Sequence, residues 1–79
     1  MPSRALNAYD RLIARRVRLA RRLRGLTQSA VGQALGKTAQ QIQKYENGRN
    51  RISAGTLAQI AQILDFPISY FFKDLGPKQ

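Results

Sequence analysis

The chain has no cysteine and no histidine, and only four of its 79 residues are acidic. The first two absences remove disulfide bonds, the usual zinc sites, thiol nucleophiles and the commonest general base of enzymes. Glu46 is the only glutamate, and the aspartates Asp10, Asp65 and Asp74 are scattered, so no carboxylate pair is suggested. We therefore expect no enzyme, no catalytic residue, no metal site and no cofactor.

The shortage of acidic residues leaves the charge strongly one-sided. Fourteen lysines and arginines give a formal net charge of +10, which indicates a polyanionic partner, either nucleic acid or an anionic membrane surface. No apolar run approaches membrane-spanning length, and residues 1–8 lack the apolar core of a secretory signal. We predict a cytoplasmic, nucleoid-associated protein with no membrane partner. Its length and 43% hydrophobic content suit one small folded domain.

Helical periodicity and capping residues predict five short helices and no strand. The first runs from about Asp10 to Arg24, with Asn7 or Asp10 as its N-cap and Gly25 at its end. The others begin after Thr27, Thr38 and Ser53 as N-caps and at Pro67, and the fourth spans Ala54–Leu64. Gln41 completes a capping box with Thr38. We predict an N-terminal arm (1–8), one domain (9–73) and a tail (74–79).

The first helix carries an arginine stripe opposite its apolar arc. The stripe consists of Arg11, Arg15, Arg18 and Arg22, while Arg16 and Arg24 interrupt the arc. Such a stripe is commonly a solvated face. The alternative is additional attraction for nucleic-acid phosphates. The sequence leaves both open.

The third helix has an amide-rich outer face, opposite Ile42 and Tyr45. Gln40 can pair with adenine N6 and N7, Lys44 can donate to guanine, and Ala39 is small enough to touch a thymine methyl. Gln43 lies at the rim of this face. The alternative is an exposed helix that uses glutamine as a good helix former. The tight, Gly-containing turn before this helix is typical of a helix-turn-helix, so we expect DNA reading.

Two segments, RLRGLTQSAVGQALGKTAQQIQKYENGRNRIS and LAQIAQILDFPISYFF, resemble the XRE family of lambdoid phage repressor and Cro-like helix-turn-helix regulators. The resemblance covers residues 9–73. It implies an all-α, compact five-helix lambda-repressor-like domain whose helices 2 and 3 form the helix-turn-helix. It further implies a repressor that binds a pseudo-palindromic double-stranded DNA operator as a homodimer through the major groove. A restriction-modification controller or an antitoxin with a protein partner is an alternative, and a cationic membrane-surface protein a remote one.

The resemblance also implies roles for individual residues. The base-reading positions are Ala39, Gln40, Gln43 and Lys44, and the phosphate-contacting positions are Gln28, Lys37, Thr38, Asn47, Arg49, Asn50 and Arg51. Arg21 and Glu46 match a pair that family members join internally. The last helix is implied in dimerisation, and by pattern we expect Ile68 and Phe71 at the interface. Phe66, Tyr70 and Phe72 are expected in the core.

Overall fold

The computed structural model describes residues 7–73, and within them the chain forms four α-helices and one 3₁₀ helix without any strand. The helices are α1 (Ala8–Leu23), α2 (Gln28–Leu35), α3 (Ala39–Glu46), α4 (Ala54–Leu64) and the 3₁₀ helix (Ile68–Phe72). The all-α prediction is confirmed, but five α-helices is wrong by one. The last segment has five residues and no side-chain cap at Pro67, and so short a piece suits 3₁₀ geometry.

The helix starts follow from capping side chains. The hydroxyls of Thr27, Thr38 and Ser53 each accept a hydrogen bond from the backbone N–H three residues later. For α3 only the Thr38 half of the predicted capping box forms among the described residues. A complete capping box instead joins Asn7 and Asp10 at the start of α1. Asn7 and Ala8, which were predicted to belong to the N-terminal arm, therefore cap and begin this helix. Residues 1–6 of the predicted arm and the whole predicted tail lie outside the described residues.

Within residues 7–73, each α-helix is followed within two positions by a residue of left-handed backbone conformation. Gly25, Gly36 and Gly48 have φ of 70–75°, and Asp65 takes the same place after α4 with φ 58°. In this conformation the following N–H groups can bond to the last helical carbonyls, as Arg49 N–H does to Lys44 O at 2.9 Å. The chain therefore reverses sharply after each helix, which keeps the connections short.

One apolar core holds the helices together. Its buried side chains come from every element: Val17, Ala20, Val31, Ile42, Tyr45, Leu57, Ile60, Ala61, Leu64 and Phe71. α2 packs most extensively on α3, and the 3₁₀ helix packs on α1. This arrangement buries the inner face of α3 and leaves its other side directed at solvent.

The predicted core assignment of the last segment needs correction. Phe71 is completely buried, whereas Phe72 is 44% exposed. The Phe71 ring makes edge contacts with Tyr70 and Phe66, at centroid distances of 5.2 and 6.5 Å. Aromatic side chains contribute large buried areas, and the Phe71 ring lies in the core together with side chains of α1 and α4. The prediction of Phe66 and Tyr70 in the core agrees with their partial burial against it.

Arg16 and Arg24, which interrupt the apolar arc of α1, hold the C-terminal half of the domain. Arg16 donates to Tyr70 O at 2.7 Å and lies over the Tyr70 ring. Arg24 donates to the carbonyls that end α4, Leu64 O at 2.7 Å and Asp65 O at 2.6 Å. Its guanidinium also stacks 4.1 Å from the centre of the Phe66 ring. Cations are favourable at a helix C-terminus, so both arginines are structural.

The backbone that follows α2 passes close to Gly32 of that helix. A Cβ there would stand 2.8 Å from Lys37 O and 3.1 Å from Thr38 C. Lys37 N–H also donates to Gly32 O at 2.7 Å. Both neighbours are backbone and lead directly into α3, so the absence of a side chain at position 32 sets how closely the two helices can meet.

We expect Gly32→Ala to lower the free energy of unfolding by about 1–3 kcal/mol, because the added methyl must displace the backbone that leads into α3. Gly55→Ala is the matched control, since a Cβ at Gly55 of α4 meets nothing within 4 Å and alanine is the better helix former. Urea denaturation of both variants measures the difference. A Gly32→Ala protein as stable as the wild type would contradict this packing.

Candidate nucleic-acid interface

The outer face of α3 is polar and open. Gln40, Gln43 and Lys44 are exposed and Ala39 is half-buried, whereas Ile42 and Tyr45 are buried on the opposite side. The side chains of Gln40, Gln43 and Lys44 make no hydrogen bond or ion pair with any other residue in the part of the chain described. Their amide and ammonium groups are therefore available for an external partner.

The predicted base-reading residues meet part of the predicted phosphate set in one shallow recess. Its lining is Gln40, Gln43, Lys44, Asn47, Arg49 and Asn50. The helix end explains this juxtaposition, because the left-handed Gly48 turns the chain back beside the last turn of α3. The recess is thus lined by amides and cations, the groups that recognise base edges and phosphates.

A buried carboxylate joins this surface to the rest of the fold. Glu46, at the end of α3, is only 5% exposed. It accepts two hydrogen bonds from Arg21 of α1, from Nε at 2.7 Å and from Nη2 at 3.0 Å. Arg21 also donates to Leu26 O at 2.7 Å. The hydrogen bond to Glu46 raises the pKa of Arg21 above its usual value although burial opposes the shift, so the guanidinium stays charged.

The structure engages Gln28 in the same network. Its amide nitrogen donates to Glu46 Oε1 at 3.1 Å, and the residue opens α2 directly after the Thr27 cap. The carboxylate therefore fixes which way the Gln28 amide faces. Two other predicted phosphate contacts, Lys37 and Thr38, are exposed in the turn between α2 and α3. Thr38 already uses its hydroxyl as an acceptor for Gln41 N–H, and the hydroxyl proton is left to donate.

Arg51 is not among the residues that line the recess. Its Nε donates to Asp10 Oδ2 at 3.1 Å, so the loop after α3 is tied to the first turn of α1. The Arg51 side chain is 52% exposed, which leaves its outer edge accessible. The sequence pattern gave no indication of this pair, although the spacing of Asn7 and Asp10 marks Asp10 as a capping residue.

The structure also corrects the expected dimer residues. Ile68 is 42% exposed, but Phe71 has no exposed surface and cannot contact a second chain. Phe72, predicted in the core, is the exposed aromatic of this segment. The apolar surface that the 3₁₀ helix offers is therefore formed by Ile68 and Phe72.

The sequence profile of a helix-turn-helix family matches residues 17–71, which include α2, α3, α4 and the C-terminal part of α1. This chain belongs to the XRE-type helix-turn-helix family. The match contains the whole recess and the Glu46 network, whereas Asp10, the partner of Arg51, precedes it.

Relatives of this XRE-type domain are named as regulators. The HTH-type transcriptional regulator y4aM of Sinorhizobium fredii is 49% identical over 87% of this chain and 48% of its own length. The chain spans about half the length of such relatives. The sequence similarity therefore concerns their helix-turn-helix part.

Solved structures show the same fold at lower identity. The restriction-modification controller protein C.AhdI from Aeromonas hydrophila matches with a TM-score of 0.76 and 23% identity, over 84% of this chain and all of that one. A hydroxypropylphosphonic acid epoxidase from S. wedmorenis matches with a TM-score of 0.76 and 21% identity, over 82% of this chain and 35% of its own. A fold that also occurs within an enzyme does not by itself decide function.

None of the helices within residues 7–73 of this chain has the length and hydrophobicity that a membrane-spanning helix requires.

The Arg21–Glu46 pair should be strongly coupled to stability. Glu46→Ala leaves Arg21 partly buried without its carboxylate, and we expect unfolding free energy to fall by about 3–5 kcal/mol. Arg21→Ala should act similarly, and the double variant should be more stable than the sum of the two losses implies. Denaturant unfolding of this double-mutant cycle gives the coupling. Additivity within about 0.5 kcal/mol would contradict the pair as a stabilising unit.

Proposed function

We propose that this domain binds double-stranded DNA sequence-specifically and acts as a transcriptional repressor by blocking access to a promoter. The observation that carries the proposal is the recess that groups Gln40, Gln43 and Lys44 with the loop residues Asn47, Arg49 and Asn50. Side chains that can pair with base edges thus lie beside side chains that can bind the phosphate backbone of DNA. The membership in a regulator family supports the same function.

In the proposed complex α3 lies in the major groove. Gln40 pairs with adenine N6 and N7, Lys44 donates to guanine, and the small Ala39 permits the close approach of the helix start. Gln43 contacts a neighbouring base from the rim. Arg49 and Asn50 hold the phosphates at the edge of the groove, and Lys37, Thr38 and Arg51 add contacts at either side.

Gln28 contacts a phosphate at the opposite edge. The start of α2 presents free backbone N–H groups and the positive end of the helix dipole, both of which favour an anion. The hydrogen bond to Glu46 uses one amide proton of Gln28, and the second remains for the phosphate. Glu46 thereby orients a DNA contact without touching DNA.

Selection of bound duplexes from a random pool tests this function. We expect the wild-type protein to enrich one motif. Gln40→Ala should lose about 1–3 kcal/mol of discrimination at one base pair of each half-site, whereas Arg49→Ala should weaken binding to all sequences alike. Gln59→Ala, on the exposed face of α4, is the control and should match the wild type. Enrichment of no motif would refute the proposal, and equal losses for Gln40→Ala on every sequence would refute its assigned role.

We further propose a two-fold homodimer that uses the exposed apolar side chains of the 3₁₀ helix. A C2 pair places two recognition helices about 34 Å apart, one turn of DNA, and predicts a pseudo-palindromic operator. Ile68 and Phe72 are respectively 42% and 44% exposed in the single chain. A dimer would remove both from water.

The double variant Ile68→Ser, Phe72→Ser should be monomeric, because it removes the apolar area that drives association. Tyr9→Ser is the control, since Tyr9 is also exposed, at 55%, but lies on α1. Sedimentation equilibrium with and without the selected operator measures the state of each protein. A wild-type protein that stays monomeric at high concentration and on DNA would rule the dimer out.

A further inference from the structure

The arginine stripe of α1 faces solvent. Arg15, Arg18 and Arg22 are exposed, and they make no hydrogen bond or ion pair with any residue that the structure describes. Asp10 and Glu46 are already paired with Arg51 and Arg21. The charges of Arg15, Arg18 and Arg22 are therefore uncompensated within residues 7–73, unlike that of Arg21.

The position of the stripe relates it to α3. Arg11 and Arg15 line a second recess together with Ala14, Glu46, Asn47 and Gly48. Asn47 also lines the recess that contains Gln40 and Lys44. The N-terminal half of the stripe thus borders the surface proposed to meet DNA.

The C-terminal half of the stripe leads toward the other proposed phosphate contact. Arg21, three residues after Arg18, binds both Glu46 and the carbonyl of Leu26, just before α2. Residues three apart on a helix are neighbours on its surface, so Arg18 lies beside Arg21, which contacts the connection between α1 and α2. Glu46 in turn holds Gln28. The stripe therefore lies between the loop after α3 and the start of α2.

We propose that Arg15 and Arg18, with Arg11 and Arg22 beside them, form a phosphate-binding track along α1 that joins these two contacts. The proposal rests on the DNA-binding function proposed above and extends its backbone contacts to a third helix. From Arg11 to Arg22 the track is about 16 Å long at a rise of 1.5 Å per residue. Such contacts add affinity without reading sequence.

A protein partner is the competing occupant. Leu12 and Leu19 line a groove with Arg15, Arg18 and Arg22, which an acidic amphipathic segment could fill. A second copy of this domain is a poor occupant, because two of its three described acidic residues are already paired. The location of the stripe between two phosphate contacts favours DNA.

The salt dependence of DNA binding tests the track. Affinity for a short mixed-sequence duplex is measured from about 50 to 200 mM salt, where each phosphate neutralised contributes about 0.9 to the slope of log K against log salt. Arg15→Gln and Arg18→Gln should each reduce the slope by about 0.9, and together by about 1.8. Arg15→Lys, Arg18→Lys should keep the wild-type slope, because the charges remain. Lys73→Gln, an exposed charge at the end of the 3₁₀ helix, is the charge-matched control and should also keep it.

Thermal unfolding of every variant should match the wild type, since neither arginine has a partner within the described residues. A slope unchanged in the Arg15→Gln, Arg18→Gln protein would overturn the track. If that variant has an unchanged slope and has also lost binding to poly-glutamate, the stripe binds an acidic protein, and the track is overturned as well. If the wild type still selects a DNA motif in either case, the proposed function stands and only the track fails.

Discussion

The buried carboxylate of Glu46 is the interaction on which the position of the recognition helix depends. It ties the end of α3 to Arg21 of α1 and to Gln28 at the start of α2. A buried charge is tolerated only when its hydrogen bonds are satisfied, and no buried side-chain nitrogen or oxygen among the described residues lacks a partner. Rotating α3 would break these bonds, so the network favours one orientation of the polar face.

Close packing at the turn supplies a second constraint on the same helix. The backbone that leads into α3 lies so near Gly32 that a methyl group would collide with it. Close-packed interiors resist small displacements, and the start of α3 is therefore as firmly placed as its end. A helix held at both ends loses little freedom on binding, which reduces the entropic cost of recognition.

Local features of the fold could be predicted from the sequence, because their causes lie within a few residues. Thr27, Thr38 and Ser53 cap helices where expected, and α4 has the predicted bounds. The division of α3 into an inner apolar and an outer polar face is likewise a local pattern. The pairing of Arg21 with Glu46 came from family resemblance, since nothing local links residues 25 positions apart.

The incorrect predictions concern residues whose burial or hydrogen bonding depends on packing between different segments of the chain. A five-residue 3₁₀ helix is too short for periodicity to show which phenylalanine is buried, and Phe71 rather than Phe72 fits against Tyr70 and Phe66. Arg16 and Arg24 looked like interruptions of an apolar arc. Their partners lie 54 and 40 residues away in sequence, whereas a helical wheel shows only residues of the same helix.

The arginines differ in what they can give to a nucleic acid, although they contribute equally to the net charge of +10. Arg16 and Arg24 are bonded to carbonyls, and Arg21 is committed to Glu46. These charges add to the long-range attraction, which salt screens beyond about 10 Å at 0.1 M, but the N–H donors engaged in these bonds are not available to DNA. Direct contact is left to donors that have no internal partner, such as the second amide proton of Gln28. Around α3 those are chiefly amides, whose paired donor and acceptor can distinguish base edges as a bare charge cannot.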